Sequence, residues 1–334
     1  MFFTFEDQLF PQNLRLDYAL GNVASDATVV SKALSETFHE QAQKFFPQFR
    51  SFEPRPRIGQ LSLLLPVGCN AACPTICYTD VTNWKQKSED LKPEQILDIL
   101  EEFKTLGGKV IRIIGVGEPT LYRQLPQLCK WTRKNRMHLI IFSNGLEISK
   151  TMIEEYQKGR LYIYLKLWSE TTDVQNQMVA PRRPYVYSSG IVGNAPRSFY
   201  ELWEVDSRRV GFQVMFSRTN FEDATRIISG PKSRLPLFID PFLASGAGAG
   251  HEELISPALP AETKHCSKPP RASYLAVINN CGELQPGTFI NDEAVPITDG
   301  RLAETWRTVF ATKNLFFEAR YSDGCFCESK IAEL

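Results

Sequence analysis

Cys69, Cys73 and Cys77 lie in the stretch GCNAACPTICYTD at residues 68–80, with three residues in each gap. A disulfide framework would leave one of the three unpaired. A buried apolar run would not carry Asn70, Pro74 and Asp80. Three convergent thiolates suit a soft metal centre, either zinc or an iron–sulfur cluster. A second set, Cys266, Cys281, Cys325 and Cys327, lies near the end of the chain. Four thiolates could form a closed zinc site or hold a further cluster. Cys129, in QLPQLCKW, keeps core spacing with Leu125 and reads as a small buried hydrophobe. His39, His138 and His251 form no recognisable pairing, and His265 reads as a loop residue beside Cys266.

Composition limits what surrounds these thiols. The 334 residues carry 38 basic and 38 acidic side chains, so net charge announces neither a nucleic-acid nor a membrane partner. At 43% hydrophobic and 23% charged, the chain reads as an ordinary globular enzyme. No apolar run reaches the ~18–20 residues of a membrane helix. The opening MFFTFEDQLF lacks the pattern of a signal peptide. A cytoplasmic location is the expectation, and there the cysteines serve metal or redox chemistry.

The elements that must position the thiols follow from periodicity. One helix is expected at 27–46, and FEPRPR at 52–57 reads as a linker. Strand 60–67 leads directly into the cysteine loop. Helix 91–108, strand 109–116, helix 121–135, strand 137–143, helix 147–159 and strand 160–169 follow. A Pro- and Tyr-rich stretch then reads as loop with one helix near 196–204. Strand 210–217, helix 221–230 and strand 235–242 complete the series. Six such units predict an α/β fold, a partial (β/α)6 TIM-like barrel whose chemistry collects at the C-terminal ends of its strands.

Those ends carry, in order, the three cysteines, GVGEPTL (115–121), SNG (143–145), Ser169, Arg218 and ASGAGAG (244–250). Within the fourth strand Tyr164, Lys166 and Trp168 share one face. A mid-strand lysine is explained by an anionic ligand inside the barrel, or by a side chain snorkelling from the rim.

A three-cysteine loop after the first strand, a Gly-Glu-Pro turn after the second and an Asn-Gly turn after the third resemble the radical S-adenosylmethionine (SAM) enzymes. The resemblance covers roughly 59–245. It implies that Cys69, Cys73 and Cys77 ligate a 4Fe–4S cluster whose remaining iron is chelated by SAM. It implies that Gly117 and Glu118 meet the SAM amino group, with Ser143 and Asn144 nearby. Lys166, Ser169 and Arg218 become candidates for the SAM carboxylate and ribose. A one-electron reductant such as flavodoxin or ferredoxin is the implied partner. The second cysteine gap is one residue longer than the family's usual spacing, and Tyr78 follows Cys77 instead of an aromatic preceding it. One extra residue adds at most ~3.5 Å of reach, which a bulged loop absorbs. Ile76 or Tyr78 would then cover the adenine.

The late cysteines look like a twitch or SPASM-like auxiliary domain, which implies a second 4Fe–4S cluster on Cys266, Cys281, Cys325 and Cys327, with zinc as the alternative. Three regions are therefore expected: an N-terminal helical segment (1–57), the barrel (58–250) and the auxiliary domain (251–334). The implied substrate is a ribosomally made peptide, with 181–204 as one wall of its groove. The alternatives are a small polar molecule such as an aminocyclitol or sugar and, from a different class, a zinc-bearing interaction protein.

Overall fold

The computed structural model describes residues 58, 60–74, 77, 87–241, 275–285, 294–297 and 301–306. The sequence-derived helix at 27–46, the run 244–250, Cys266, Cys325 and Cys327 lie outside the described residues.

Six parallel strands form the body of one sheet: β1 (Gln60–Leu63), β2 (Val110–Ile113), β3 (His138–Ser143), β4 (Leu161–Leu167), β7 (Val210–Phe216) and β8 (Leu237–Pro241). Helices α1 (Pro93–Thr105), α2 (Leu125–Lys134), α3 (Lys150–Gln157), α5 (Arg197–Asp206) and α6 (Phe221–Ser229) connect them. Two more elements precede α5 within the β4–β7 crossover: α4 (Thr172–Val179) and the hairpin β5 (Tyr187–Gly190) and β6 (Gly193–Pro196). On the far side β9 (Leu275–Ile278) runs parallel to β1, with Gln60 opposite Leu275 and Leu63 opposite Ile278. Antiparallel β10 (Glu283–Gln285) and β11 (Val295–Pro296) extend that edge. This is the α/β architecture expected of a partial barrel.

Alternation along the strands explains the layering. Leu61, Leu63, Ile111, Ile113, Leu139, Ile141, Ile163, Leu165, Phe212 and Val214 belong to the large core against the helices. Phe199 of α5 stacks on Phe212 with ring centroids 4.5 Å apart. Burying a side chain of that size contributes ~1.5–3 kcal/mol. Val110, Ile140, Phe142, Tyr162 and Tyr164 occupy the intervening strand positions and form a second cluster. Arg112, Lys166 and Gln213 also stand at intervening positions, so this second face is a mixed polar and apolar lining, as a ligand-holding interior requires. Cys129 is buried in the helix-side core.

Candidate functional site

Because β1, β2, β3, β4 and β7 are parallel, their C-terminal ends meet on one side of the sheet. Pairing continues past the strands. Ile114 N donates to Leu63 O (3.0 Å), Val116 N to Leu65 O (3.2 Å) and Glu118 N to Gly68 O (2.9 Å). The Gly-Glu-Pro turn is thereby laced to the root of the cysteine loop. Gly117 makes that approach possible. A Cβ there would stand 2.2 Å from Gly68 O and 2.4 Å from Val67 O, both backbone atoms that cannot give way.

Glu118 brackets the ends of β2 and β3. Its Oε1 accepts from Ser143 Oγ (2.7 Å), Thr120 Oγ1 (2.8 Å) and Thr120 N (3.1 Å). Its Oε2 accepts from Asn144 N (2.7 Å), which leaves that oxygen capacity for another donor. Asn144 in turn reaches the cysteine loop: its Nδ2 donates to Asn70 Oδ1 (2.8 Å) and lies 3.9 Å from Cys69 Sγ. The tight turn that follows needs Gly145, whose φ is +73°. Ser198 Oγ of α5 donates to Gly145 O (2.7 Å) and fixes the turn from below.

A second brace comes from the β4–β7 crossover. Ala71 bridges Pro181, Ala72 N donates to Ala180 O (3.1 Å) and Arg182 N to Asn70 O (3.0 Å). Tyr185, buried, donates its hydroxyl to Asn144 O (2.8 Å). Gln175 of α4, also buried, accepts from the backbone N–H of Trp168 (2.9 Å) and Ser169 (3.2 Å), holding the end of β4. Ala71, Trp168, Val179 and Tyr185 make an apolar wall against Cys69 and Cys73. Asn70, Gln175, Tyr185 and Ser198 are absent from the sequence-derived site. Asn70 and Tyr185 had a signal, a polar residue between cysteines and an aromatic in the 181–204 stretch; Gln175 and Ser198 had none.

The wall shapes the electrostatics. Burial pushes the Cys73 thiol up to about 12, the nearby Cys77 adds to the shift, and Lys166 opposes it. Burial also raises Cys69; a hydrogen bond from the Ala71 backbone works against this, Glu118 and Cys77 add to it, and Lys166 opposes it. The three thiols and the Lys166 ammonium thus share one field. Thiolates persist in such surroundings only beside compensating positive charge, which a bound metal supplies. Asn70 Nδ2 is buried with no hydrogen-bond partner among the described residues, so a donor also stands ready in the loop. This donor set and its lining suit a thiolate-held iron–sulfur cluster. Among the described residues no three His, Cys, Asp or Glu side chains converge tightly enough to hold a single metal ion. A cluster asks less convergence, because each thiolate takes its own iron.

Of the remaining candidates, Ser169 is buried, and its Oγ accepts from Thr171 N (2.9 Å). Its carbonyl accepts from Tyr187 OH (2.8 Å). Arg218 follows β7 and is exposed. Cys281 is half-buried on the β9–β10 turn. There Asn280 Nδ2 donates to Asp90 Oδ1 (2.6 Å), tying that turn to the segment before α1.

Residues 63–185 match the family model described as the radical SAM superfamily. Over 111 residues the chain is 30% identical to a Methanocaldococcus jannaschii protein whose name describes a glycyl-radical enzyme activating enzyme. Over 162 residues it is 29% identical to the Fe-coproporphyrin III synthase of Methanosarcina barkeri. These alignments take in 33% and 48% of this chain, and the chain spans 41% and 37% of the lengths of those two relatives. Among solved structures, Streptococcus suis SuiB bound to S-adenosylmethionine superposes with a TM-score of 0.57 at 14% identity, covering 83% of this chain and 71% of that one. SuiB bound to its precursor peptide SuiA gives 0.56 at 14% identity, covering 80% and 68%. At such identity the likeness is one of fold. The family match lies on the segment that supplies the cysteine loop, the Gly117–Glu118 bracket and the Asn144 turn, so it is residues 63–185 that match a radical SAM domain.

Proposed function

We propose that this protein reductively cleaves SAM and uses the resulting radical to modify a ribosomally made peptide. The observation that carries the first half is the convergence of three sequence-distant turns: Glu118 ties Ser143 and Asn144 to the root of the Cys69–Cys73–Cys77 loop. A 4Fe–4S cluster held there would supply the electron for reductive cleavage of SAM. The chain's own residues prepare that event. Cys69, Cys73 and Cys77 hold the cluster, and Lys166 offsets their negative charge. Glu118 Oε2 has room for the SAM ammonium, and Gly117 keeps the backbone beside it open. Ser169 and Arg218 stand at the ends of β4 and β7 to meet carboxylate or ribose oxygens. Trp168 and Tyr185 exclude water from the thiol side. Flavodoxin or ferredoxin fits the role of electron donor.

The peptide reading is supported by the fold shared with SuiB, a protein solved with a precursor peptide, over 80% of this chain. A second cluster on Cys266, Cys281, Cys325 and Cys327 is part of the same proposal. The test is anaerobic incubation of iron-reconstituted protein with SAM, reductant and candidate precursor peptides. 5′-Deoxyadenosine and a mass change on a peptide are expected. SAM cleavage accompanied by change only in small molecules would overturn the peptide reading.

Tyr185 offers a finer check. Tyr185→Phe keeps the wall but deletes the hydrogen bond to Asn144 O. A buried carbonyl left short of a donor costs ~1–3 kcal/mol. The expected result is a raised KM for SAM with kcat largely retained. A loss of melting temperature with KM unchanged would show Tyr185 to be structural only.

A further inference from the structure

The β5–β6 hairpin pairs with no other strand among the described residues. Arg197 N donates to Val186 O (2.8 Å), and the register sets Ser188 opposite Ala195 and Gly190 opposite Gly193. In an antiparallel ladder hydrogen-bonded and non-hydrogen-bonded pairs alternate. The N–H and C=O of Tyr187 and Ser189 therefore point away from β6, along an edge with no partner strand among the described residues. Such an edge is a template for an added strand.

That edge is rigid. Buried Lys232 donates to Val192 O (3.0 Å) at the hairpin tip and is ion-paired with Glu170. Tyr200 donates its hydroxyl to Gly193 O, and its ring fills the space where a Cβ on Gly190 would stand. An edge fixed in advance loses little entropy when a strand is added.

Its surroundings specify what would be added. Val186 and Ile191, at 63% and 77% exposure, flank β5 and are the two most exposed large hydrophobics among the described residues. Arg182 and Arg183 are exposed and in no ion pair among the described residues, while Arg197 faces Glu201 at 3.0 Å. No acidic residue occurs between Asp173 and Glu201. The segment is thus a basic, partly apolar strip in a chain of zero net charge. Its root is hydrogen-bonded to the cysteine loop through Arg182 N and Ala180 O, so a strand lying along β5 ends beside the candidate site.

We propose that the free edge of β5 docks an extended acidic segment of the peptide substrate, which adds as a third strand with its carboxylates on Arg182 and Arg183 and apolar residues on Val186 and Ile191. This rests on the peptide reading above. The test uses the full iron-reconstituted protein and a short fluorescein-labelled peptide alternating Glu and Val, read by anisotropy, with a Lys–Val peptide as the control. The Glu–Val probe should bind and the Lys–Val probe should not. The double substitution Arg182→Glu/Arg183→Glu should weaken binding by about tenfold or more, and added salt should weaken it further. Ser189→Pro removes the outward N–H, along with the exposed hydrogen bond from Ser189 Oγ to Asn194 Oδ1, a loss an edge strand tolerates, and should weaken binding with circular dichroism unchanged. Equal binding by wild type and both variants would overturn the proposal, as would failure of the Glu–Val probe to bind. A natural peptide modified equally well by wild type and the double variant would also overturn the docking edge, while leaving the peptide reading intact. Modification of small molecules alone removes the peptide reading, and the docking of substrate falls with it.

Discussion

Alanine at Cys69, Cys73 or Cys77, introduced one at a time, is expected to abolish 5′-deoxyadenosine formation while leaving the protein folded. None of the three thiols belongs to the main helix-side core, so truncation removes little packing. Each would leave one iron without a protein ligand, and the neighbour of Cys69 cannot replace it: Asn144 Nδ2, 3.9 Å from Cys69 Sγ, is a donor only. Iron content separates this loss from the late cysteines. Wild type should reconstitute to about eight irons, and the triple alanine variant should keep about four. Zinc near one equivalent beside about four irons would show the late set to be a structural zinc site. Native-rate SAM cleavage by Cys77→Ala would remove that residue from the ligand set, and the longer second gap makes it the most informative of the three.

How much of this was legible in the sequence depended on periodicity. The β2–α2–β3–α3–β4 run is readable because apolar residues recur at 2.0 or 3.6 positions and Gly or Pro marks the ends. The helices there begin at Leu125 and Lys150, later than the 121 and 147 that periodicity gives, because caps and tight turns share the same residues. The stretch 170–196 reads as loop because α4, TDVQNQMV, buries only Gln175 and Val179, and β5–β6, YSSG and GNAP, lacks β-branched residues. Those elements carry Gln175 and lead to Tyr185, so the unreadable segment holds half the brace around the cysteine loop. The pairing of β9 with β1 was not legible. Pairing with β1 joins residues distant in sequence, and local pattern holds no information about that contact. The site fared better than its supports. Chemistry-bearing residues at strand ends are marked by type, whereas Ser198 holding Gly145 O is an ordinary polar side chain until the fold brings it there.

Gly117→Ala should damage SAM cleavage far more than it damages the fold. The added Cβ would lie 2.2 Å from Gly68 O and 2.4 Å from both Gly68 C and Val67 O. No flexible side chain can yield there; the obstruction is the backbone that leads into the cysteine loop. Relief requires the Gly-Glu-Pro turn to separate from that loop, stretching the Glu118 N to Gly68 O hydrogen bond of 2.9 Å. Glu118 would be carried away with its bracket on Ser143 and Asn144. Overpacking of this kind costs ~1–3 kcal/mol, which a domain of this size can survive. Gly159→Ala is the matched control. Gly159 has φ of +88° with no atom of the described residues within 4 Å of an added Cβ, so it tests backbone strain without displacement. That control costs about 1–2 kcal/mol and should leave SAM cleavage at the wild-type rate. Gly117→Ala should show a similar fall in melting temperature with a large rise in the KM for SAM. If Gly117→Ala binds SAM as wild type does, the Gly-Glu-Pro turn does not form the SAM site.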